Sequence, residues 1–423
     1  MAHPAANSQI SVDRDEPIGL YVHWPFCKAK CPYCDFNSHV VEAVDHPRWC
    51  AALVRELQTM AARIGPRRVA SVFFGGGTPS LMEPDTVDAI LSDARRLFRF
   101  NNGCEITLEA NPTSVEAKKL DGFRDAGITR VSLGVQALSD DVLRFLGREH
   151  TAAEALAAVR VARNRFENVS FDLIYARPDQ SITAWREELV RALDLGLDHL
   201  SLYQLTIEPT TPFHARHARG EFTIPDEEAG AALFEATQEI MASAGLPAYE
   251  ISNHARPGAA CQHNLIYWSY QDYLGIGPGA HGRITNQHTR GLAKIATRTH
   301  RAPSIWLDRV EAHGHALVDD LPIPAEDALI EATLVGLRLI DGLPRTRWRA
   351  LFGVEPEVLF APDTLAPLIE GGFLEVDSVG LRATAAGRQR LDAVTARLIQ
   401  GACPQAIVPA PDRAMVNSTA ARS

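Results

Sequence analysis

The sequence contains no apolar run that approaches the roughly 18 residues needed to cross a membrane. It also lacks a basic excess, because 42 Lys and Arg stand against 52 Asp and Glu, which gives a net charge of −10. A protein whose main partner is nucleic acid usually has the opposite balance, since it must neutralise phosphates. The sequence therefore predicts neither a membrane-spanning protein nor a nucleic-acid-binding protein.

The first residues lack the basic flank and apolar stretch of a secretory signal, and we expect residues 1–17 to form a flexible segment. Seven cysteines in such a chain do not indicate a disulfide framework. We therefore expect a cytoplasmic protein with free thiols. Four cysteines are scattered and resemble small buried hydrophobic residues: Cys50, Cys104, Cys261 and Cys403.

With 423 residues, of which 46% are hydrophobic, the chain is long enough for two or three globular domains. Over residues 18–206, short β-rich runs alternate with helical stretches, which is typical of βαβ units and a parallel sheet. Six strands are fewer than the eight of a closed barrel, so an open partial barrel and a doubly wound sheet both fit. The expected strands are Gly19–His23, Val69–Phe74, Glu105–Glu109, Arg130–Val135, Val169–Tyr175 and His199–Thr206.

The alternation stops after residue 225. We expect a helix at Asp226–Ala244 with no strand beside it, then an irregular stretch from Tyr249 to about Thr297. The pattern from Leu365 to Ile399 is helix, two short strands and helix, which predicts a small winged-helix-like α+β domain. The predicted regions are 18–225 with the parallel strands, 226–325 as a connecting region, 326–400 as the C-terminal domain and 401–423 as a mobile tail.

Three cysteines follow the first strand with the spacing C-x3-C-x2-C: Cys27, Cys31 and Cys34. Three thiolates on one loop can hold three irons of a [4Fe–4S] cluster, and the fourth iron is then free to bind a substrate. The alternative is a zinc site, which normally needs four ligands. His23 or His39 would have to complete that set.

This cysteine motif resembles the signature of the radical S-adenosylmethionine (SAM) superfamily. The resemblance implies a partial (β/α)6 barrel in which SAM binds the open iron and is cleaved to a 5′-deoxyadenosyl radical. The second strand ends in Gly75-Gly-Gly-Thr-Pro79, which is similar to the family segment that contacts the amino group of SAM. Glycine there allows a close approach of the backbone. The positions that match are Gly76, Gly77 and Thr78.

Within the superfamily, residues 18–400 resemble the group that contains oxygen-independent coproporphyrinogen III dehydrogenase and the heme chaperone HemW. Polar residues at or after the predicted strands match that group's SAM site, where parallel-strand barrels build their active sites. One departure is Tyr175-Ala-Arg-Pro178, where the group more often has Gly-Leu-Pro. The residues that the resemblance assigns to SAM are Tyr21, Glu109, Gln136, Arg148 and Asp172.

Three features favour the chaperone over the dehydrogenase. Phe36 stands where the dehydrogenase commonly carries a further cysteine, and only about 17 residues precede the first strand, too few for its N-terminal arm. His263-Asn-Leu-Ile-Tyr-Trp268 also matches the HNxxYW motif of the HemW group. An imidazole can ligate heme iron, which makes His263 the predicted ligand, although the motif could equally be structural. Its rivals in the same stretch are His254, His281 and Cys261.

The resemblance therefore implies a heme chaperone that binds a [4Fe–4S] cluster, SAM and heme, and that delivers heme to apo-hemoproteins. The alternative is radical oxidative decarboxylation of coproporphyrinogen III, and no catalytic residue is assigned. The resemblance also implies a homodimer, and peripheral membrane association with a client is compatible with the composition. Lys28 and Lys30, between the cysteines, could attract an acidic electron donor or simply be solvated.

Overall fold

The computed structural model of the protein describes residues 16–113, 118–285 and 294–408. Eleven of its strands form one sheet, three form a small second sheet, and two short strands pair at the cysteine loop. The first eight strands are β1 (Ile18–Trp24), β2 (Phe26–Cys27), β3 (His39–Val40), β4 (Arg68–Gly76), β5 (Arg99–Ala110), β6 (Arg130–Gln136), β7 (Asn168–Tyr175) and β8 (His199–Gln204).

Six strands of the large sheet run parallel in the order β1-β4-β5-β6-β7-β8, and a seventh strand, Tyr273–Ile276, pairs parallel to β1 on its other side. Each of the six overlaps one of the six predicted strands, so the prediction of six parallel strands is confirmed. The sequential order also decides between the two alternatives, because a doubly wound sheet reverses its order at a switch point. The parallel strands form an open partial barrel.

Helices follow the strands and cover the outer face of this sheet. Along β1, fully buried Leu20, Val22 and Trp24 alternate with Tyr21 and His23, which therefore point to the inner face. The sequence pattern also predicts a helix at Ser114–Asp125, and residues 114–117 of it lie outside the described residues. The helices of this part are α1 (His46–Ile64), α2 (Pro84–Leu97), α3 (Leu120–Ala126), α4 (Asp140–Phe145), α5 (Ala152–Arg163) and α6 (Ile182–Leu193).

The region after β8 differs from the expectation. The helix predicted at Asp226–Ala244 is present, but a strand follows it and pairs with β8, and the stretch predicted to be irregular contains a helix and further strands that extend the sheet beyond β1. The prediction of irregular structure was wrong because these strands are short and have no alternating sequence pattern of their own. They form because they pair with neighbouring strands of the sheet. The elements are α7 (Pro212–Ala218), α8 (Glu227–Ser243), β9 (Asn253–Ala255), α9 (Gln262–Trp268), β10 (Tyr273–Ile276), β11 (His281–Thr285), β12 (Lys294–Thr299), α10 (Pro303–His313) and β13 (Leu317–Pro322).

The C-terminal part has its own hydrophobic core, built around Trp348, Phe352 and Leu381. Its helix–strand–strand–helix order is as predicted, with the last helix divided at Arg390. Residues 401–408, expected in the tail, are held against this core, because the Val408 N–H donates to the Phe352 carbonyl at 3.0 Å. The elements are α11 (Ala325–Gly336), β14 (Leu343–Pro344), α12 (Arg345–Phe352), α13 (Pro362–Glu370), β15 (Leu374–Val376), β16 (Gly380–Ala383), α14 (Ala385–Gln389) and α15 (Leu391–Gln400).

Among all the helices described, none combines the length and apolar character that a membrane crossing requires.

Candidate functional site

The cysteine loop is closed by the short parallel pair β2 and β3, in which Cys27 lies opposite Val40. Inside the loop, the Cys34 N–H donates to the Cys31 carbonyl at 3.1 Å. Burial raises the pKa of the Cys27 and Cys34 thiols, and the charge of Cys31 raises both further. The three predicted cluster ligands therefore lie close enough for their charges to interact.

Hydrogen-bond donors from elsewhere in the chain point at the cysteine sulfurs. The Thr78 hydroxyl donates to Cys27 Sγ, and Arg148 Nη1 donates to Cys31 Sγ, both at 3.3 Å. In residues 16–113, 118–285 and 294–408, no three His, Cys, Asp or Glu side chains are grouped to hold a single metal ion. The iron–sulfur cluster at Cys27, Cys31 and Cys34 therefore stays a prediction.

The glycines at the end of β4 allow the backbone to approach its neighbours closely. Gly76 has φ +111°, and a Cβ there would lie 2.6 Å from the His23 ring. A Cβ on Gly77 would lie 2.6 Å from the Phe26 carbonyl oxygen. These contacts hold the end of β4 against the cysteine loop, while the predicted contact of both glycines with SAM stays a prediction.

Two predicted carboxylates, Glu109 on β5 and Asp172 on β7, lie on the inner face of the sheet. Burial and, to a smaller extent, the charge of Asp172 raise the pKa of Glu109 to about 8, although the Gly76 N–H donates a hydrogen bond to it at 3.3 Å. Burial likewise raises the pKa of Asp172 to about 6, although the Ser132 hydroxyl donates to it at 3.3 Å. Two buried acids in this state suit a ligand with positive charge.

Arg148 connects the SAM-type residues to the cluster loop. Besides Cys31, its Nη2 donates to Asn111 Oδ1 at 2.6 Å and to the Gly134 carbonyl at 2.8 Å. Asn111 in turn donates to the Thr78 hydroxyl at 3.2 Å. Asn111 lies in the same Leu108–Pro112 segment as Glu109, but no feature of the sequence indicates its role. We therefore add Asn111 to the site as the residue that joins Arg148 to Thr78.

Gln136, the last residue of β6, has the unusual backbone angle φ +70°. Such strained non-glycine residues often occur at functional sites. Its side-chain nitrogen lies beside Gly134, 3.0 Å from where a Cβ would stand. The structure therefore brings Gln136 to the same edge of the sheet as Arg148.

Tyr21 and His23 link β1 to the cysteine loop. The Tyr21 hydroxyl lies 3.0 Å from His23 Nδ1, and His23 Nε2 lies 2.9 Å from the Asn37 carbonyl, which fits a ring that accepts from Tyr21 and donates to Asn37. Burial raises the pKa of Tyr21, and the charge of Glu109 adds to this. From the sequence, His23 is a candidate only for zinc, and its positioning contact with Tyr21 is visible only in the structure.

The HNxxYW motif forms helix α9, which packs against the inner face of β1 and β4 and so forms the floor of the open barrel. His263 is only 1% exposed, its Nδ1 lies 2.8 Å from the Ser71 hydroxyl, and its ring stacks on Phe73 with centroids 5.0 Å apart. Burial lowers the pKa of His263 to about 3. Heme can reach this residue only if α9 moves.

Other motif residues also make structural contacts. Asn264 donates to the Tyr249 hydroxyl at 3.0 Å, and the Arg338 guanidinium lies 4.5 Å from the centre of the Trp268 ring. At the helix start, Cys261 donates to Glu105 at 3.3 Å. The motif therefore fastens the floor of the barrel to its surroundings.

Comparison with known proteins agrees with this geometry. Residues 21–199 match the family model of the radical SAM superfamily, and residues 323–390 match that of the HemN C-terminal domain. The heme chaperone HemW of Escherichia coli is 37% identical over 345 residues, which are 81% of this chain and 88% of that protein. The chain belongs to the HemW/HemN-like group of the radical SAM superfamily.

Eukaryotic and solved relatives of this HemW/HemN-like chain extend the comparison. The mitochondrial radical S-adenosyl methionine domain-containing protein 1 of Bos taurus is 38% identical over 390 residues, covering 90% of this chain and 87% of that protein. The structure of the coproporphyrinogen III oxidase HemN from Escherichia coli matches with a TM-score of 0.75 and 24% identity, covering 92% of this chain and 91% of that one. At this identity the match concerns the fold, and it confirms the radical SAM partial barrel with a smaller C-terminal domain.

Proposed function

We propose that this protein is a HemW-like heme chaperone that binds one [4Fe–4S] cluster, SAM and heme, and that delivers heme to apo-hemoproteins. The observation that carries the proposal is the 37% identity with HemW over 81% of the chain. Phe36 adds to it, because this side chain is 61% exposed beside the cluster cysteines and cannot do the thiol chemistry of a cysteine.

Cys27, Cys31 and Cys34 are the proposed ligands of the cluster. When bound, the cluster supplies an electron and one iron that is open to the amino and carboxylate groups of SAM. Thr78 and Arg148 donate hydrogen bonds to two of the sulfurs and so stabilise the thiolate charge that the ligands must carry.

The proposed SAM site lies beside the cysteine loop at the ends of the parallel strands. Glu109 and Asp172 supply buried carboxylates whose ionised forms are stabilised by the positive charge of SAM. Their oxygens can also accept hydrogen bonds from ribose hydroxyls. The other proposed contacts are Tyr21, Gly76, Gly77, Gln136 and Arg148.

Apo-hemoproteins are the proposed clients, and the cytoplasm is the proposed place of delivery. The Bos taurus relative is named as mitochondrial, so the place differs among relatives. A homodimer and an electron donor that docks near Lys28 and Lys30 belong to the same proposal. Lys28 is already paired with Glu149 at 3.2 Å, and both side chains are largely exposed.

The test is a pair of anaerobic assays on cluster-loaded protein. With SAM, reductant and coproporphyrinogen III, we expect no protoporphyrinogen, while a coproporphyrinogen dehydrogenase run in parallel makes it. Heme-loaded protein should transfer heme to an apo-hemoprotein faster than heme bound to serum albumin does. Protoporphyrinogen formation by the unmodified protein would contradict the proposal, and the matched variant Phe36→Cys asks whether that one position withholds the activity.

A further inference from the structure

The four candidate heme ligands in the stretch around the HNxxYW motif differ sharply in exposure. His263 and His254 are each 1% exposed, and Cys261 is 3% exposed. His281, by contrast, lies on the surface. A flat porphyrin needs open space on at least one side of its iron ligand, so exposure alone separates His281 from its three rivals.

Each buried histidine holds one ring nitrogen in a hydrogen bond, while its other nitrogen, His263 Nε2 or His254 Nδ1, has no partner among the described residues and is closed off from a porphyrin by burial. His263 Nδ1 lies 2.8 Å from the Ser71 hydroxyl, and His254 Nε2 lies 3.2 Å from Gln238 Nε2. Within the described part of the chain, no hydrogen bond engages the ring of His281. Its two nitrogens are therefore available to a metal without any loss of internal contacts.

His281 lies at the mouth of the open barrel, near the cluster loop. It begins β11 and is paired across the sheet with Arg298 of β12. Burial lowers the pKa of His23, and the charges of His39 and His281 lower it further, so the three rings are neighbours. The heme ligand would then stand close to the proposed cluster and SAM site.

The cysteine loop brings apolar side chains to the same place. Asn37 Nδ2 donates to the Pro278 and Arg301 carbonyls, each at 2.9 Å, which fastens the loop three residues before His281. On either side of Asn37, Phe36 is 61% exposed and Val40 is 55% exposed. Exposed aromatic and branched side chains on this loop suit a flat apolar ligand.

Positive charges flank these apolar side chains. Arg298 is exposed and donates to Asp319 at 2.6 Å, and exposed Arg301 has no ion pair with any described residue. Guanidinium groups bind carboxylates well, and heme carries two propionates. We call Phe36, Val40, His281, Arg298 and Arg301 the loop-side face.

We propose that His281 is the axial ligand to heme iron and that heme lies on the loop-side face. The inference rests on the proposed chaperone function. Burial lowers the pKa of His281, and the charges of Arg283 and Arg298 lower it further, so its imidazole is neutral at pH 7 as a ligand must be. Heme on an exposed face can leave for a client without any unfolding of its carrier, whereas heme on His263 cannot.

The test is titration of the cluster-free full-length protein with hemin, followed by absorption and electron paramagnetic resonance spectra. We expect His281→Ala to weaken binding by at least about tenfold and to change the axial signature, because loss of even an outer-shell partner costs a metal site that much. His281→Met should keep bound heme but give the spectrum of a thioether ligand. Free imidazole should restore the original spectrum of His281→Gly.

Two control variants separate the possible failures. His313→Ala removes an exposed histidine from α10 and should change nothing. His263→Ala should lower thermal stability but leave the heme spectrum and affinity unchanged. An unchanged spectrum in His281→Ala, or its loss in His263→Ala while the variant stays folded, would overturn the assignment. If the unmodified protein fails to bind hemin at all, the chaperone proposal itself fails, which is a different result.

Discussion

Two buried acidic regions of this protein carry their charge in opposite ways. At the base of the barrel, Asp272 is 4% exposed and pairs with Lys294 Nζ at 2.8 Å and Arg67 Nη2 at 2.6 Å. Burial alone would raise the pKa of Asp272, but these two cations hold it well below its usual range. At the mouth, burial raises the pKa values of Glu109 and Asp172 instead.

The two regions show how a buried charge with a structural role differs from one that belongs to a binding site. At the base of the barrel, Asp272 has cationic partners within the chain, so its carboxyl group is ionised whether or not a ligand is present. The mouth holds acids whose ionised forms need a cation that the fold does not supply in full. Buried carboxyls left in this state cost stability and are typical of a binding site.

The largest effect should follow from removing a cluster ligand at the mouth. We expect Cys31→Ala to abolish the iron–sulfur absorbance and nearly all bound iron, because a thiolate ligand and its contact with Arg148 are lost together. Iron and sulfide analysis after anaerobic reconstitution measures this, with circular dichroism to verify the fold. Cys50→Ala is the matched control and should keep its iron; equal iron in both variants would refute the assignment.

The next largest effect should follow from breaking the base. Asp272→Asn leaves Lys294 and Arg67 buried beside an uncharged partner, and we expect the free energy of unfolding to fall by about 3–5 kcal/mol. Urea unfolding measures it. Asp320→Asn, which breaks an exposed pair with Arg63, should cost less than about 1 kcal/mol. Similar losses in both variants would mean that burial does not make the ion pairs of Asp272 stronger than an exposed pair.

At the mouth of the barrel, Glu109→Gln should stabilise the ligand-free protein but weaken SAM binding. Because the pKa of Glu109 is raised to about 8, the free energy of unfolding of the protein falls as the pH rises from the ordinary pKa of a glutamate towards about 8. The Gln variant avoids this loss. At pH 8 and without ligand, its free energy of unfolding should therefore exceed that of the unmodified protein by at least about 1 kcal/mol. SAM affinity should fall about tenfold, measured by calorimetry. A variant that is both less stable and equally tight in binding would contradict the contrast with Asp272.

SAM affinity of the unmodified protein should also depend on pH. Below about pH 8 Glu109 takes up a proton, and below about pH 6 so does Asp172, and both must ionise to meet a cation. Affinity should therefore rise from pH 6 to pH 8, by at most about tenfold per unit for each group. Titrations across this range measure it, and the rise above pH 7 should flatten in Glu109→Gln. A pH-independent affinity would show that neither acid faces the ligand.

The smallest effect is expected at the solvated rim of the mouth. Lys28→Ala removes an exposed pair with Glu149, and the free energy of unfolding should change by less than about 0.5 kcal/mol. If Lys28 guides an acidic electron donor, the rate of cluster reduction should fall and its dependence on salt should weaken. A large loss of stability would show that Lys28 has a structural role, as the cations that pair with Asp272 do.

The sequence predicted the parallel half of the molecule well and the added strands poorly. Strands such as β4 and β7 contain several β-branched and aromatic residues, and their alternation with helices is visible in the chain. Strands β9 to β12 are only three to six residues long. Strand β9 pairs with β8, β10 pairs with β1, and β11 and β12 continue the sheet from β10. The pairings of β9 with β8 and of β10 with β1 join segments distant in sequence, which leave no local pattern.

The sequence by itself indicated the superfamily, the cysteine motif and the number and positions of the six predicted parallel strands, because these depend on spacing and periodicity along the chain, while the side-by-side order of those strands came from the structure. The tertiary structure decided which polar residues are satisfied. It placed His263 in the floor of the barrel and His281 on the surface, and it brought Asn111 between Arg148 and Thr78. Burial and charge compensation are properties of contacts between distant segments, so no reading of one segment alone could supply them.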